Sequence, residues 1–381
     1  MEGKKIGYDA KRAAQNRTGL GNYSRFVVGL LQRQAGGNEY VLYVPRRGRA
    51  AHLGEVAEGA AVVSPRSLSG RLLPWLWRAV GLCGDIRRRG LDLYHGLSNE
   101  LPFGIRRTGA RSVVTVHDLI FIHCPQYYKP VDRLIYRLKM RYAVGAADRV
   151  VAVSEFTKRE LVRLMGVPAE KVDVVYQGQQ LDFAALTDAD RAAARRRHRL
   201  PGRYVLYVGT IEERKNLLLV AKAMVALGSQ LPDDMRVVAI GRSTDYLVSV
   251  LAYLNSYGLA DRMIFLHDVD QTDLAACYQM ADFFVYPSRI EGFGIPMLEA
   301  ATAGIPAIGC TGSCLEEAGG EGAFYVGPDD AEEMGSCMLR LWADEALRQE
   351  RSALALAHAA RFDDKALADS MLRVYEKALG C

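Results

Sequence analysis

No stretch of this sequence approaches the roughly 20 consecutive apolar residues that a membrane-spanning helix requires. The opening segment, MEGKKIGYDAKRAAQ, passes through one short apolar run straight into charge, so no secretory leader is expected. Cysteines stand at 83, 124, 277, 310, 314, 337 and 381, an odd number without paired spacing. That pattern argues against a disulfide framework and for reduced thiols in a cytosol. Cys310 and Cys314 have no nearby histidine or further cysteine, which leaves a zinc site without its ligands. No unit of roughly 20 to 50 residues repeats, so solenoids and propellers are excluded.

What remains is an ordinary globular mixture, 50% hydrophobic and 24% charged, over 381 residues. That length is natural for two domains. The net charge of +5 hides an asymmetry: residues 1–180 carry 29 basic and 15 acidic side chains, and residues 181–381 carry 20 and 29. A basic half suits nucleic acid, an anionic membrane surface or an anionic acceptor. A solvated basic face explains it equally well, and a nucleic-acid role is not expected.

The most informative stretch is DFFVYPSRIEGFGIPMLEAATAG, from Asp282 to Gly304. Phe283 to Tyr286 has strand character, and Pro296 to Ala303 reads as a helix with proline in its first turn and Gly304 as its stop. Glu291, Gly292, Phe293, Gly294 and Ile295 form the turn between them. A strand, tight turn and helix start aim backbone N–H groups and the positive end of a helix dipole at one point, a setting for phosphate. Glu291 and Glu299 bracket this point, and two carboxylates would repel a bare anion. A ligand with phosphate in the middle and hydroxyls at both flanks resolves the conflict, and a nucleotide sugar is such a ligand.

Other candidates follow the same logic of strand ends. Lys5 to Asp9 reads as the first strand, and the stretch from Asn16 to Tyr23, with Gly19 and Gly21, as a glycine loop before a helix opening at Phe26. It lacks the third glycine of a dinucleotide fingerprint. Ser112 to Val116 reads as a buried parallel strand ending in His117 and Asp118, where ligands of doubly wound sheets sit. Tyr204 to Val208 leads into Gly209, Thr210, Arg214 and Lys215, a loop with adjacent cations. Met263 to Leu266 leads into a loop containing Val269. The segment LLPWLWRAVGLC, with Trp75 and Trp77 and arginines after it, reads as a helix packed on the sheet, with a membrane interface as the alternative. The run Arg195, Arg196, Arg197 and Arg199 reads as a solvated helix face.

The wording EGFGIPMLEA strongly resembles the E-x7-E signature of the retaining glycosyltransferases of family 4, with GTIEERKN, ADRVVAVSEFTK and VTVHDLIF in support. The resemblance covers nearly the whole chain and is weakest from about Ala50 to Leu91. It implies the GT-B fold: two Rossmann-like doubly wound α/β domains facing a central cleft, at 1–185 and 186–360, with residues 361–381 crossing back as a helix. It implies that Lys215 meets the donor pyrophosphate, with Gly19, Gly21, Gly209, Thr210, Arg214 and Gly292 to Ile295 near the donor. Glu299 would hold the ribose, Glu291 a sugar hydroxyl, and Val269 the base through its backbone. His117 would lie near the reacting carbon, with His117, Lys215 and Glu291 as the catalytic set. The turn at Gln177-Gly178 departs from the family's usual proline-asparagine-glycine. No Asp-x-Asp of the magnesium-clamping kind precedes a strand end, so neither a metal nor a cofactor is expected. The form of these motifs resembles mannosyltransferases that use GDP-mannose in surface polysaccharide assembly. UDP-sugar donors, a nucleotide-sugar epimerase or hydrolase, and a nucleotide-binding protein remain alternatives. A saccharide or lipid-linked saccharide acceptor is implied, as is a cytoplasmic location, peripheral at the inner membrane face.

Overall fold

The structure is a computed structural model that describes residues 2–16, 19–46 and 52–380. The chain forms two compact units, Met1–Gly178 with Phe362–Cys381, and Gln179–Arg361. Each is a parallel sheet covered by helices.

The strands of the first unit are β1 Lys5–Asp9, β2 Glu39–Tyr43, β3 Ala61–Val63, β4 Leu93–Gly96, β5 Arg111–Val116, β6 Arg149–Ala152 and β7 Val172–Val174. They lie in the order β3-β2-β1-β4-β5-β6-β7. All neighbours are parallel, with Ile6 opposite both Tyr40 and Leu93. A parallel sheet with both faces covered needs unbroken apolar strands, and Val113 to Val116 are fully buried. Helices begin and end where side chains satisfy their terminal amides. Ser154 accepts from the Thr157 amide at 3.0 Å to start Glu155–Met165, and Gly166, at φ +65°, closes it.

The stretch expected to be a glycine loop is helical: one helix runs from Gly19 to Gln34. Tyr23, Val27, Leu30 and Leu31 are buried from it at helical spacing, and this packing overrides the weak propensity of glycine. A Cβ on Gly21 would lie 1.9 Å from the Asn16 carbonyl oxygen, so the chain's own backbone demands glycine there. Arg17 and Thr18 of that stretch lie outside the described residues.

The helix Asp364–Leu379 belongs to the first unit and buries Leu367, Met371, Val374, Tyr375 and Ala378. The Tyr375 hydroxyl lies 2.7 Å from Nδ1 of His95, whose Nε2 lies 2.8 Å from Thr115 Oγ1. Thr115 also meets the Tyr23 hydroxyl at 3.0 Å. A buried polar group is stable only when bonded, and this chain of bonds satisfies each member. Burial holds the His95 imidazole down at about 3, so it is neutral.

The tryptophan segment is only partly core, which corrects the packed-helix reading. Trp77 is buried, whereas Trp75 is 67% exposed, with Leu68 and Leu72 at 73% and 71%. The helix Pro130–Ala146 likewise exposes Val131, Leu134, Ile135 and Leu138.

The second unit contains β8 Val205–Val208, β9 Val237–Ile240, β10 Met263–Leu266, β11 Phe283–Tyr286, β12 Ala307–Cys310 and β13 Ala323–Val326. They are all parallel, in the order β10-β9-β8-β11-β12-β13. The order reverses between β8 and β11, as it does between β1 and β4 in the first unit. At such a switch point the loops leaving two neighbouring strands diverge and open a crevice at their carboxyl ends. Of the arginine run, Arg196, Arg197 and Arg199 are exposed, as a solvated face requires; Arg197 pairs with Asp273 at 2.5 Å, and His198 meets the same carboxylate at 2.7 Å.

Candidate active site

The crevice at the β8/β11 switch point is built by two loops. After β8 the chain passes Gly209 and Thr210 into a short turn, Glu213–Lys215, and Asn216, at φ +58°, redirects it into the helix Leu217–Leu227. After β11, Pro287 to Gly294 form the second loop, and Gly294, at φ +96°, starts the helix Ile295–Thr302. The positive φ of Gly294 favours glycine, and a Cβ there would also stand 2.7 Å from Leu315 Cδ2, which would have to shift. The first amides of that helix have no intrahelical acceptor and carry the dipole's positive end.

The loops are joined through one carboxylate oxygen. Oε1 of Glu291 lies 2.6 Å from Lys215 Nζ and 2.8 Å from Arg214 Nη1. It also accepts from Ser288 Oγ at 2.7 Å and from the Tyr286 hydroxyl at 3.1 Å. Lys215 Nζ additionally contacts the Tyr286 hydroxyl. Burial pushes the Glu291 carboxyl upward, but Lys215 and Arg214 outweigh it and hold the group at about 2. Glu291 is therefore ionised across the physiological range. Arg214 is fully engaged: it also pairs with Glu212 at 2.7 Å and donates to the Ile290 carbonyl at 2.8 Å. Its pKa lies above the ordinary arginine value: burial pulls it down, and Glu291, Tyr286 and Glu212 together outweigh that. It fixes Glu291 in place, and Lys215 is the cation left at the crevice end of the network.

Glu299 sits on the helix with one described side-chain partner, the Tyr278 hydroxyl, which donates to Oε2 at 2.8 Å. Burial raises its carboxyl to about 7, against the lowering effect of that hydrogen bond. The two glutamates of one motif are thus opposites: one beside two cations and ionised, the other with no cation paired to it among the described residues and half-protonated near neutrality. If Glu299 grips a diol, the ionised form is the stronger acceptor. Nucleotide affinity should then rise by several-fold between about pH 6 and 8, and Glu299→Gln should be weaker and flat over that range. Calorimetric titration of the nucleotide at a series of pH values checks this.

Val269 is half-buried in the loop after β10, beside Asp268 at φ +53°. Gly209 and Gly241 approach so closely that a Cβ on Gly241 would lie 2.0 Å from the Gly209 carbonyl oxygen. Among the described residues no three His, Cys, Asp or Glu side chains gather as metal ligands.

Gly19, Gly21 and His117 belong to the first unit. His117 is 5% exposed, and both ring nitrogens are occupied. Nε2 lies 2.9 Å from the Leu97 carbonyl, so it carries the proton, and Nδ1 accepts from Gln177 Nε2 at 3.1 Å. The edge of the Tyr23 ring packs against it, centroids 4.6 Å apart. Burial lowers the imidazole to about 4, against the Leu97 carbonyl. Through these two bonds the ring ties Leu97 to Gln177. The unusual Gln177 is half of that tie. Tyr286, Ser288 and Tyr278 were missed as site residues. Their side chains are ordinary strand and turn residues in sequence, and only the position of the glutamates gives them a role.

Two family descriptions match the chain. Glycosyltransferase Family 4 matches residues 19–183, and Glycosyl transferases group 1 matches residues 189–355. The chain is 29% identical over 276 residues to the O-antigen chain mannosyltransferase B of Escherichia coli, covering 71% of this chain and 70% of that protein. It is 27% identical over 282 residues to the O-antigen chain mannosyltransferase RfbU of Salmonella typhimurium strain LT2, covering 73% of each. Among solved structures, Anabaena HepE in complex with UDP superposes with a TM-score of 0.76 at 17% identity, covering 98% of this chain and 99% of that one. The lipopolysaccharide glycosyltransferase WaaG gives 0.71 at 16%, covering 97% and 99%. These likenesses establish the fold as GT-B.

Proposed function

This chain belongs to the family 4 and group 1 glycosyltransferases, and from that premise we propose that it is a retaining hexosyltransferase acting without a metal. The donor we assign is GDP-mannose, and the acceptor a saccharide or lipid-linked saccharide in surface polysaccharide assembly. The mannosyltransferase names of its relatives support that donor. The observation that carries the proposal is the network at the β8/β11 switch point. There, one lysine and a helix start meet at the place where a diphosphate leaving group would gather charge.

The chemistry follows from the side chains. As the bond between the anomeric carbon and the diphosphate oxygen breaks, negative charge grows on that oxygen. Lys215 and the amides from Gly292 to Ile295 are preorganised to stabilise it, which is commonly the largest contribution to a catalysed rate. Glu291, ionised by its two cations, accepts from a sugar hydroxyl and orients the ring. Glu299 holds the ribose, and Val269 meets the base through its backbone. Gly209 and Thr210 shape the crevice floor, and Arg214 keeps Glu291 in register. Departure and attack on the same face of the sugar preserve the anomeric configuration. A screen of donor hydrolysis over GDP- and UDP-sugars tests this reading. GDP-mannose should be turned over fastest, with transfer to a saccharide acceptor keeping the configuration seen by proton NMR. Inversion, or no turnover of any nucleotide sugar, would sink it.

The proposal includes contact with an anionic membrane face through the first unit. Exposed Leu68, Leu72 and Trp75, with Leu134 and Leu138 of the helix Pro130–Ala146, stand among arginines on a basic half of the chain. The chain should co-sediment with phosphatidylglycerol-containing vesicles at low salt and dissociate as salt rises. Leu134→Asp with Leu138→Asp should reduce binding about tenfold. Absence of binding at low salt would remove this part.

A further inference from the structure

The first unit has its own switch point, between β1 and β4, and two adjoining cavities open at its strand ends. They share Pro45 and Arg46 in their linings. Neither enters the donor chemistry described above.

One opening, about 380 Å³, has a polar floor and aromatic walls. Arg78 forms the floor, its Nε 2.8 Å from Asp9 Oδ2 and its Nη1 paired with Glu100. Lys139 also reaches Glu100, at 3.2 Å. Trp75, Phe103 and Tyr142 stand at the sides. Nε2 of Gln15, which lines the cavity, is buried with no partner among the described residues. A flat aromatic surface beside carboxylates and an unpaired amide fits a sugar ring, whose faces are apolar and whose rim is hydroxylated.

The second cavity, about 420 Å³, lies where β2 and β3 end and is lined by Arg46, Arg66, Arg71 and Arg89 with no acidic residue. None of these four has an ion pair among the described residues; Arg71 makes one long contact, 3.4 Å from Nε to the Pro65 carbonyl. Ser64 Oγ, also in the lining, is buried without a partner among the described residues. Like charges converging on a cavity repel one another, and an unbonded buried hydroxyl costs stability. A tetrahedral anion removes both penalties, since guanidinium groups bind phosphate as forks and a hydroxyl completes the shell.

We propose that the first unit binds a phosphate-bearing saccharide, with its phosphate or diphosphate in the arginine cavity and its sugar in the aromatic one. This deepens the transferase reading, on which it rests, by giving the acceptor its chemical class. The saccharide is esterified to phosphate, and the attacking hydroxyl belongs to that sugar.

The test is calorimetric titration of the full chain with pyrophosphate, mannose 1-phosphate and mannose. It is done with the donor site filled by saturating GDP or UDP, whichever the donor screen selects. Pyrophosphate and mannose 1-phosphate should bind and mannose should bind at least about tenfold more weakly, as the phosphate carries the recognition. Arg66→Gln with Arg71→Gln should weaken pyrophosphate about tenfold or more, and Arg66→Lys with Arg71→Lys should restore part of it. Donor hydrolysis should be unchanged in both variants. No anion binding with the donor site filled, or equal binding by the glutamine variant, would overturn the proposal. A variant that loses vesicle binding but keeps pyrophosphate binding would overturn it too, because the arginines would then serve lipid headgroups. If neither nucleotide binds, the transferase reading fails by itself, and pyrophosphate titration still reads the arginine cavity directly.

Discussion

Lys215→Ala is expected to lower sugar transfer by about 10²–10³-fold, with the fold intact and nucleotide binding weakened much less. The lysine sits 2.6 Å from Glu291, so its charge is already placed before substrate arrives. As the leaving diphosphate gains charge, the attraction grows only in the transition state, which is why the loss should appear mainly in kcat. Removing the ammonium leaves Glu291 paired with Arg214 at 2.8 Å, so the local fold keeps a neutral pair. Arg214 cannot substitute for the missing cation, because Glu212 and the Ile290 carbonyl also hold it. Lys215→Arg should recover little, since a planar fork does not reproduce a compact charge above the Tyr286 ring. Steady-state kinetics with the donor selected by screening, beside nucleotide titration, checks this. Full-speed transfer by Lys215→Ala would remove the central element of the mechanism.

Glu291→Ala should be worse for the protein than for the nucleotide. It leaves two cations and two hydroxyls facing a hole, and breaking a buried pair by removing one partner typically costs about 3–5 kcal/mol. We expect the second unit to melt several degrees lower, and transfer to fall about 10²-fold or more because a sugar hydroxyl loses its acceptor. The linkage has a definite sign. The carboxyl is lowered in the folded state from 4.5 to about 2, so its contribution is fully present above 4.5 and lost as pH falls toward 2. Glu291→Gln keeps the shape and removes the charge. Its stability profile should lack that acid limb and lie below wild type at neutral pH. Thermal unfolding from pH 3 to 7 for the two proteins is the measurement. Superimposable profiles would show that the pairing contributes nothing.

Much of this was legible in the sequence. The apolar runs before Gly209, His117 and Ser288 mark parallel strands, because a strand buried on both faces must be apolar throughout. The turn around Gly294 is legible because few residues other than glycine tolerate its backbone. The helix at Gly19–Gln34 was not, since a glycine pair reads locally as a loop while the packing of Tyr23, Val27 and Leu31 makes it a helix. His117 was legible as a residue at a strand end, but the bonds of its ring were not. Its ring partners, Leu97 and Gln177, lie 20 and 60 positions away.

The sequence by itself determined the two parallel α/β units, the family, and the pair of loops that carries Lys215, Glu291 and Glu299, because strand patterning and turn chemistry are local. The tertiary structure alone decided the charge states: Glu291 low and Glu299 high, though only eight residues apart on one motif. It also decided that Arg46, Arg66, Arg71 and Arg89 converge on one cavity. Charge and burial are set by neighbours brought together from distant parts of the chain, and those neighbours exist only once the sheets have formed.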